Sequence, residues 1–189
     1  MNKKSLLFVN ACVHKETSRT LKIARAAIDD MREEFDVNAI DLEHTHLEPL
    51  TTEALAKRSA LQQQAEFDAP EFELARLFAN ADRIVIAAPY WDFGFPASLK
   101  LFLENIGIAG IVYRYGEDGR PVGLCKADQL MYITTRGGFV PDDADLGFKT
   151  IEATAHFYGI AEVRCISAQG LDIPATDVDE ALKKAIASL

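Results

Sequence analysis

Ala87-Ala88-Pro89-Tyr90-Trp91-Asp92-Phe93-Gly94-Phe95-Pro96-Ala97-Ser98 is the stretch from which the fold can be read. It leaves an apolar run, Ile84-Val85-Ile86-Ala87-Ala88, that has the character of a strand buried on both faces. It enters a helical segment, with Pro96 expected in the first turn, where a helix tolerates proline. Between the two lie the rings of Tyr90, Trp91 and Phe93, together with Asp92 and Gly94. Ligands of open parallel sheets bind beyond the carboxyl ends of the strands. An aromatic loop at that place suits a flat ring whose polar edge meets backbone N–H and C=O groups. The competing reading is a hydrophobic turn that packs against a neighbouring domain.

Working outward, the same rhythm recurs on both sides. Leu6-Leu7-Phe8-Val9 reads as a first, central strand, followed by a loop from Asn10 to Ser18. Leu21, Ala24, Ile28, Met31 and Phe35 then keep helical spacing, with Ser18 as a candidate N-cap. A second strand covers Val37 to Leu42. Thr52 to Phe67 reads as a polar helix, and Pro70 opens a further helix that buries Leu74, Leu77, Phe78 and Ala81. Past the aromatic loop, Leu99, Phe102, Leu103 and Ile106 form the stripe of the next helix. Ile111 to Leu124, folded about Gly116-Glu117-Asp118-Gly119, reads as an inserted hairpin. Gln129–Thr134 and Val163–Ser167 are strands four and five, and helices follow each. Five strands alternating with helices imply one doubly wound α/β domain over residues 1–189. If the strand order is 2-1-3-4-5, with the hairpin lying before strand four, the fold is a flavodoxin-like three-layer sandwich.

Composition limits the function. At 49% hydrophobic and 26% charged, 189 residues suffice for one soluble α/β core. A net charge of −9 argues against nucleic acid and anionic membrane as partners, because phosphates require a basic face. No apolar run approaches the ~18 residues of a membrane span. The apolar run near the start is too short for a signal peptide's core, so the expected location is the cytoplasm. Cys12, Cys125 and Cys165 lie in no metal-ligand spacing and read as reduced, buried thiols. His44 and His46 lack a third ligand nearby and read as part of a solvated loop, so no metal site is expected.

With order 2-1-3-4-5, the loops at residues 10–18, 89–95 and 134–139 converge on one crevice. The first ends in Ser18-Arg19-Thr20 at a helix start, where free N–H groups, two hydroxyls and a guanidinium suit an anion such as phosphate, and His14 adds a donor. Thr134-Thr135-Arg136-Gly137-Gly138 pairs hydroxyls and an arginine with two glycines that let backbone approach a ligand closely. Each loop alone has an ordinary structural reading, as an N-cap or a Gly-Gly turn. Their convergence is the stronger sign.

Taken together, the three loops resemble those of the flavodoxin-fold NAD(P)H-dependent oxidoreductases that include FMN-dependent NADH azoreductases and quinone reductases. The resemblance covers essentially the whole chain. It implies FMN rather than FAD, with the phosphate on Ser18, Arg19 and Thr20 and His14 close by. It implies backbone contacts along the isoalloxazine from Pro89, Tyr90, Trp91, Asp92 and Phe93. It places the pyrimidine edge on Thr135 to Gly138, with Thr134 beside them; Arg136 or N–H groups aimed at that edge would favour the reduced ring. It implies NAD(P)H as co-substrate, a ping-pong hydride transfer to a quinone, azo or nitro-aromatic acceptor, and a homodimer with flavin at the interface. Tyr90, Trp91, Phe93 and Phe139 would wall the acceptor slot, and Tyr113 or Tyr115 would reach the partner subunit's site. No side chain is assigned a catalytic acid or base role. Asp92 stands where azoreductases usually show Asn, and Glu16-Thr17-Ser18 stands where they show Ser-x-Ser.

Three other readings compete. A tyrosine phosphatase loop would need five residues between Cys12 and Arg19, not six, and an Asp-Pro that is missing here. A receiver domain would need an aspartate where Pro89-Tyr90 stands. A non-catalytic flavin protein, acting as electron carrier or redox-sensing partner, would usually carry a Thr/Ser- and Gly-rich phosphate loop, unlike Glu16 to Thr20.

Overall fold

The computed structural model describes residues 3–189. Strands β1 (Lys4–Asn10), β2 (Phe35–Asp41), β3 (Arg83–Ala87), β6 (Gln129–Thr135) and β7 (Glu162–Ala168) form one parallel sheet in the order β2-β1-β3-β6-β7. This is the expected 2-1-3-4-5 order. Between β3 and β6, β4 (Tyr113–Tyr115) and β5 (Pro121–Gly123) pair antiparallel as the expected hairpin.

Why the central strands are apolar throughout is plain from the pleat: alternate residues serve opposite faces. Leu7, Val9, Ile84, Ile86, Leu130 and Tyr132 point into one core, beneath α3 (Glu73–Asn80), α4 (Ala97–Ile106) and α5 (Leu146–Phe157). Leu6, Val85, Ala87, Met131 and Ile133 point into the other, beneath α1 (Arg19–Met31) and α6 (Val178–Ala187). The predicted stripe Leu99, Phe102, Leu103 and Ile106 is buried along α4.

Helix α2 (Thr52–Gln63) has no fully buried residue, as its polar sequence foretells, and sets only Leu61 against the core. Polar clamps add to that contact. The Arg58 guanidinium donates to the carbonyls of Glu104 and Asn105 at 3.3 and 3.0 Å, and Gln62 Nε2 donates to Ala109 O at 2.9 Å.

Several boundaries differ from expectation. Phe35 opens β2 and does not close the α1 stripe, because α1 ends at Met31 and a turn over residues 32–34 intervenes. Pro96 is the N-cap of α4, one residue before the helix. The polar helix stops at Gln63, short of Phe67, because Ala65 takes a left-handed φ of 56°. Pro70 opens a short 3-10 turn over Pro70–Phe72, and α3 follows it. Of the three thiols only Cys12 is fully buried; Cys125 and Cys165 are partly exposed.

Candidate functional site

The carboxyl ends of β1, β3 and β6 lie side by side, so their loops share one rim. Asn10 starts the first loop: its Oδ1 accepts from the Cys12 N–H at 3.0 Å, while the Ala11 N–H donates to Ala87 O at 2.8 Å. Cys12 is thereby turned inward, with its Sγ 3.7 Å from Ala87 O, and burial raises its pKa. A phosphatase nucleophile needs the opposite, an exposed thiol of lowered pKa.

Ser18 caps α1, as its position predicts, with Oγ accepting from the Leu21 N–H at 3.1 Å. The N–H groups of Arg19 and Thr20 then have no partner within the helix. Arg19 is exposed, with 42% of its side chain open to solvent, but it is tethered. Its Nη1 donates to Leu171 O at 3.2 Å and to Asp172 Oδ1 at 2.8 Å, so the guanidinium is held over the turn that follows β7. Thr20 is buried, and its hydroxyl meets that of Thr135 at 2.6 Å.

The third loop is pinned from below by the same post-β7 turn. The Arg136 N–H donates to Ala168 O, and Leu171, Asp172 and Gly170 donate back to the carbonyls of Arg136, Gly137 and Gly138, all within 2.9–3.1 Å. The N–H groups of Gly137 and Gly138 are left without an intrachain partner among the described residues. A Cβ on Gly137 would lie 2.3 Å from Asp172 Oδ2, so any larger residue there would push the Asp172 carboxylate away from Arg19.

The aromatic loop rests on the third, since the Tyr90 N–H donates to Thr135 O at 3.0 Å. Trp91 and Gly94 exchange backbone hydrogen bonds at 3.2 and 2.7 Å around Asp92 (φ 48°) and Phe93 (φ 64°). Two left-handed residues inside such a pair make a type I′ turn. Asn and Gly favour that turn; here Asp and Phe carry it.

The three loops enclose a cleft of about 490 Å³. Its lining includes His14, Ser18, Arg19, Thr20, Pro89, Tyr90, Trp91, Thr135, Arg136 and Gly137. The convergence expected from the strand order is therefore present. Other expected residues stand elsewhere. Thr134 is fully buried beneath the cleft. Asp92 and Phe93 are carried outward by their turn, Phe93 with 72% of its surface exposed. Gly138 and Phe139 lie beyond the lining, and the Phe139 ring covers Gly170. Arg136 lines the cleft, but its guanidinium is paired with buried Asp145 and so is not the free cation expected of it. Tyr113 packs on Phe157 and Tyr158, at 4.7 and 6.2 Å between ring centroids, whereas Tyr115 is exposed. Leu171 and Asp172 were not anticipated, although they too follow a strand end and a Gly170 of φ 72° marks the turn. Among the described residues no three His, Cys, Asp or Glu side chains gather as a metal site, and no helix is long and apolar enough to cross a membrane.

A doubly wound sheet with its ligand-type cleft at the β1/β3 switch point defines a flavodoxin-like α/β protein. The chain belongs to the Flavodoxin_2 family: residues 4–189 match its model, described as flavodoxin-like fold. It is 32% identical to the "FMN-dependent NADH:quinone oxidoreductase 2" of Clostridium acetobutylicum, over 96% of this chain and 94% of that one. A namesake without the numeral, from Clostridium beijerinckii, is 31% identical over 98% of this chain and 95% of its own. The fold is shared with a solved FMN-dependent NADH-azoreductase from Bacillus anthracis in complex with FMN. The TM-score there is 0.80 at 22% identity, covering 100% of this chain and 97% of that one.

Proposed function

We propose that this chain is an FMN-dependent oxidoreductase that uses NADH or NADPH to reduce a quinone, azo or nitro-aromatic acceptor in a ping-pong cycle. The observation that carries the reading is the single cleft built from three distant strand-end loops. Its donors suit the parts of the cofactor. The α1 N-terminus, Ser18, Arg19 and Thr20 fit a phosphate, with His14 at the same rim. Pro89, Tyr90 and Trp91 offer a flat apolar wall, which Asp92 and Phe93 extend outward. The spare N–H groups of Gly137 and Gly138, next to Thr135 and Arg136, suit a carbonyl-bearing ring edge, with Thr134 behind them. Bound FMN supplies the redox chemistry, taking two electrons from the nicotinamide and yielding them to the acceptor. The protein's own share is to hold the ring, orient both substrates in turn and exclude water.

The relatives' printed names favour NADH and quinone. Exposed Trp91 and Phe93 leave apolar surface on the aromatic loop, with exposed Phe139 on the third loop, consistent with a homodimer whose second copy covers the acceptor slot. The test is direct. FMN added to the purified protein gives a bound yellow species, NADH bleaches it under nitrogen, and a soluble quinone restores the colour over many turnovers. A preparation that binds FMN but does not turn over is an electron carrier; one that binds none is neither.

A further inference from the structure

We infer that the buried Arg136–Asp145 ion pair is a positioning device that sets the Tyr90 loop against the Thr135–Gly138 turn and fixes the charge behind the slot between them. The inference rests on the flavin reading above and extends it to Asp145, which lies outside the cleft lining.

The two side chains are only 3% and 5% exposed. Burying both ions forfeits hydration that their attraction returns only in part, and apolar residues often serve a core as well. The location explains the pair better than stability does. The Arg136 guanidinium carbon stands 5.3 Å from the centroid of the Tyr90 ring, a cation–π contact from behind the cleft wall. The other carboxylate oxygen, Asp145 Oδ1, accepts from the Phe148 N–H at 2.9 Å and caps α5. Two residues into α5's start, Gly147 lies against the aromatic loop, so close that a Cβ there would sit 3.1 Å from Gly94 O. One carboxylate thus ties together the third loop, the helix after it and the loop that carries Tyr90.

Surrounding polarity points the same way. Tyr132 and Thr134 share one face of β6 and Arg136 follows just past its end, and Tyr132 Oη, Thr134 Oγ1, Arg136 Nε and Tyr90 Oη are buried without a partner among the described residues. Poorly screened groups in such a place make the net charge of the pair count at the adjoining slot.

Asp145→Asn keeps size and helix cap but leaves the Arg136 cation uncompensated. Arg136→Met leaves the carboxylate instead. A reduced flavin ring carries more negative charge, so Asp145→Asn raises the midpoint potential of bound FMN and Arg136→Met lowers it. Each shift corresponds to roughly a tenfold change in the reduced-to-oxidised affinity ratio, about 30 mV for a two-electron couple. Arg136→Lys brings the potential back near that of the unaltered protein, and stands in should Arg136→Met not fold. Flavin-free protein supplies a second readout: Asp145→Asn speeds amide exchange at Tyr90 about tenfold and leaves Phe148, still capped, unchanged. Shifts of one sign in both charge variants, or no shift while FMN stays bound, overturn the inference. So does faster exchange confined to the first turn of α5. If the unaltered protein binds no FMN, the functional reading falls, and exchange at Tyr90 alone decides the positioning role.

Discussion

The hydroxyls of Thr20 and Thr135 stand 2.6 Å apart across 115 positions of sequence and join the loops of β1 and β6. Thr20 is fully buried, so removing the Thr135 hydroxyl strands that of Thr20. Thr135→Val is expected to cost about 1–3 kcal/mol of stability by urea denaturation, and the double change Thr20→Val with Thr135→Val considerably less. A double change costing the sum of the two single changes would show that the two groups do not depend on one another.

Arg19 is pre-oriented over the mouth of α1 by Leu171 O and Asp172. As a charge-assisted contact to phosphate it is worth ~1.5–3 kcal/mol, so Arg19→Ala weakens FMN binding by roughly 10- to 100-fold. Riboflavin, which has no phosphate, serves as the control. Fluorescence titration should show its affinity unchanged; a matching loss for both ligands would remove Arg19 from the phosphate contact.

Phe93 holds a left-handed conformation at the exposed tip of a type I′ turn. That conformation costs a side chain ~1–2 kcal/mol, and glycine gives back ~0.5–1 of the relief through its own chain entropy. Phe93→Gly is therefore expected to stabilise the fold by about 0.5–1 kcal/mol, read as a rise in Tm. If the ring walls the acceptor slot, the same variant raises KM for the acceptor and leaves FMN affinity intact.

Asp82 accepts from the Ser5 N–H at 2.8 Å and from the Ser5 hydroxyl at 2.9 Å. These bonds, the backbone one foremost, hold its carboxyl below the usual aspartate value. A depressed carboxylate stabilises the fold above its unfolded pKa of about 3.9 and loses that contribution as the pH falls through the folded value. Asp82→Asn should lower the urea midpoint at pH 7, with the two proteins converging as the pH falls through the depressed folded value. A gap that persists undiminished in acid would trace the effect to shape and not to charge.

Cys125 and Cys165 are both pushed up to about 12 by burial, and Cys12 is also raised by burial. At pH 8 the folded protein should react with a thiol reagent far more slowly than the same protein in guanidinium, and Cys12→Ser should retain reductase turnover. Fast labelling of Cys12 in the folded state would reopen the nucleophile reading.

Much of this architecture was legible because it is written in local patterns. Continuous apolar strands announce a sheet covered on both faces, and Leu99, Phe102, Leu103 and Ile106 announce a helix that covers it. The strand order followed from topology, and with it the meeting of Ser18 to Thr20, Pro89 to Trp91 and Thr135 to Gly137. What escaped is set by partners far away or by backbone angles. Asp172 looks like any exposed acid until Arg19, 153 positions earlier, is brought beside it. Arg136 reads as a free cation until Asp145 is folded over it. Phe35 keeps the spacing of the α1 stripe, so periodicity alone could not show that the helix had already ended. Asp92 tolerates left-handed backbone, but Phe93 gave no sign of it, since an aromatic residue rarely adopts it.

The turn after β7 that clasps Arg19 and underlies Gly137 also sets a time for maturation. A chain emerging from the ribosome can pair β1 with β3 early, yet both anchors of the proposed nucleotide cradle wait for residues 168–172 to arrive. On that reading cofactor capture is a late event, following synthesis of nearly every element, and until that moment a half-made copy offers FMN no firm place to lodge.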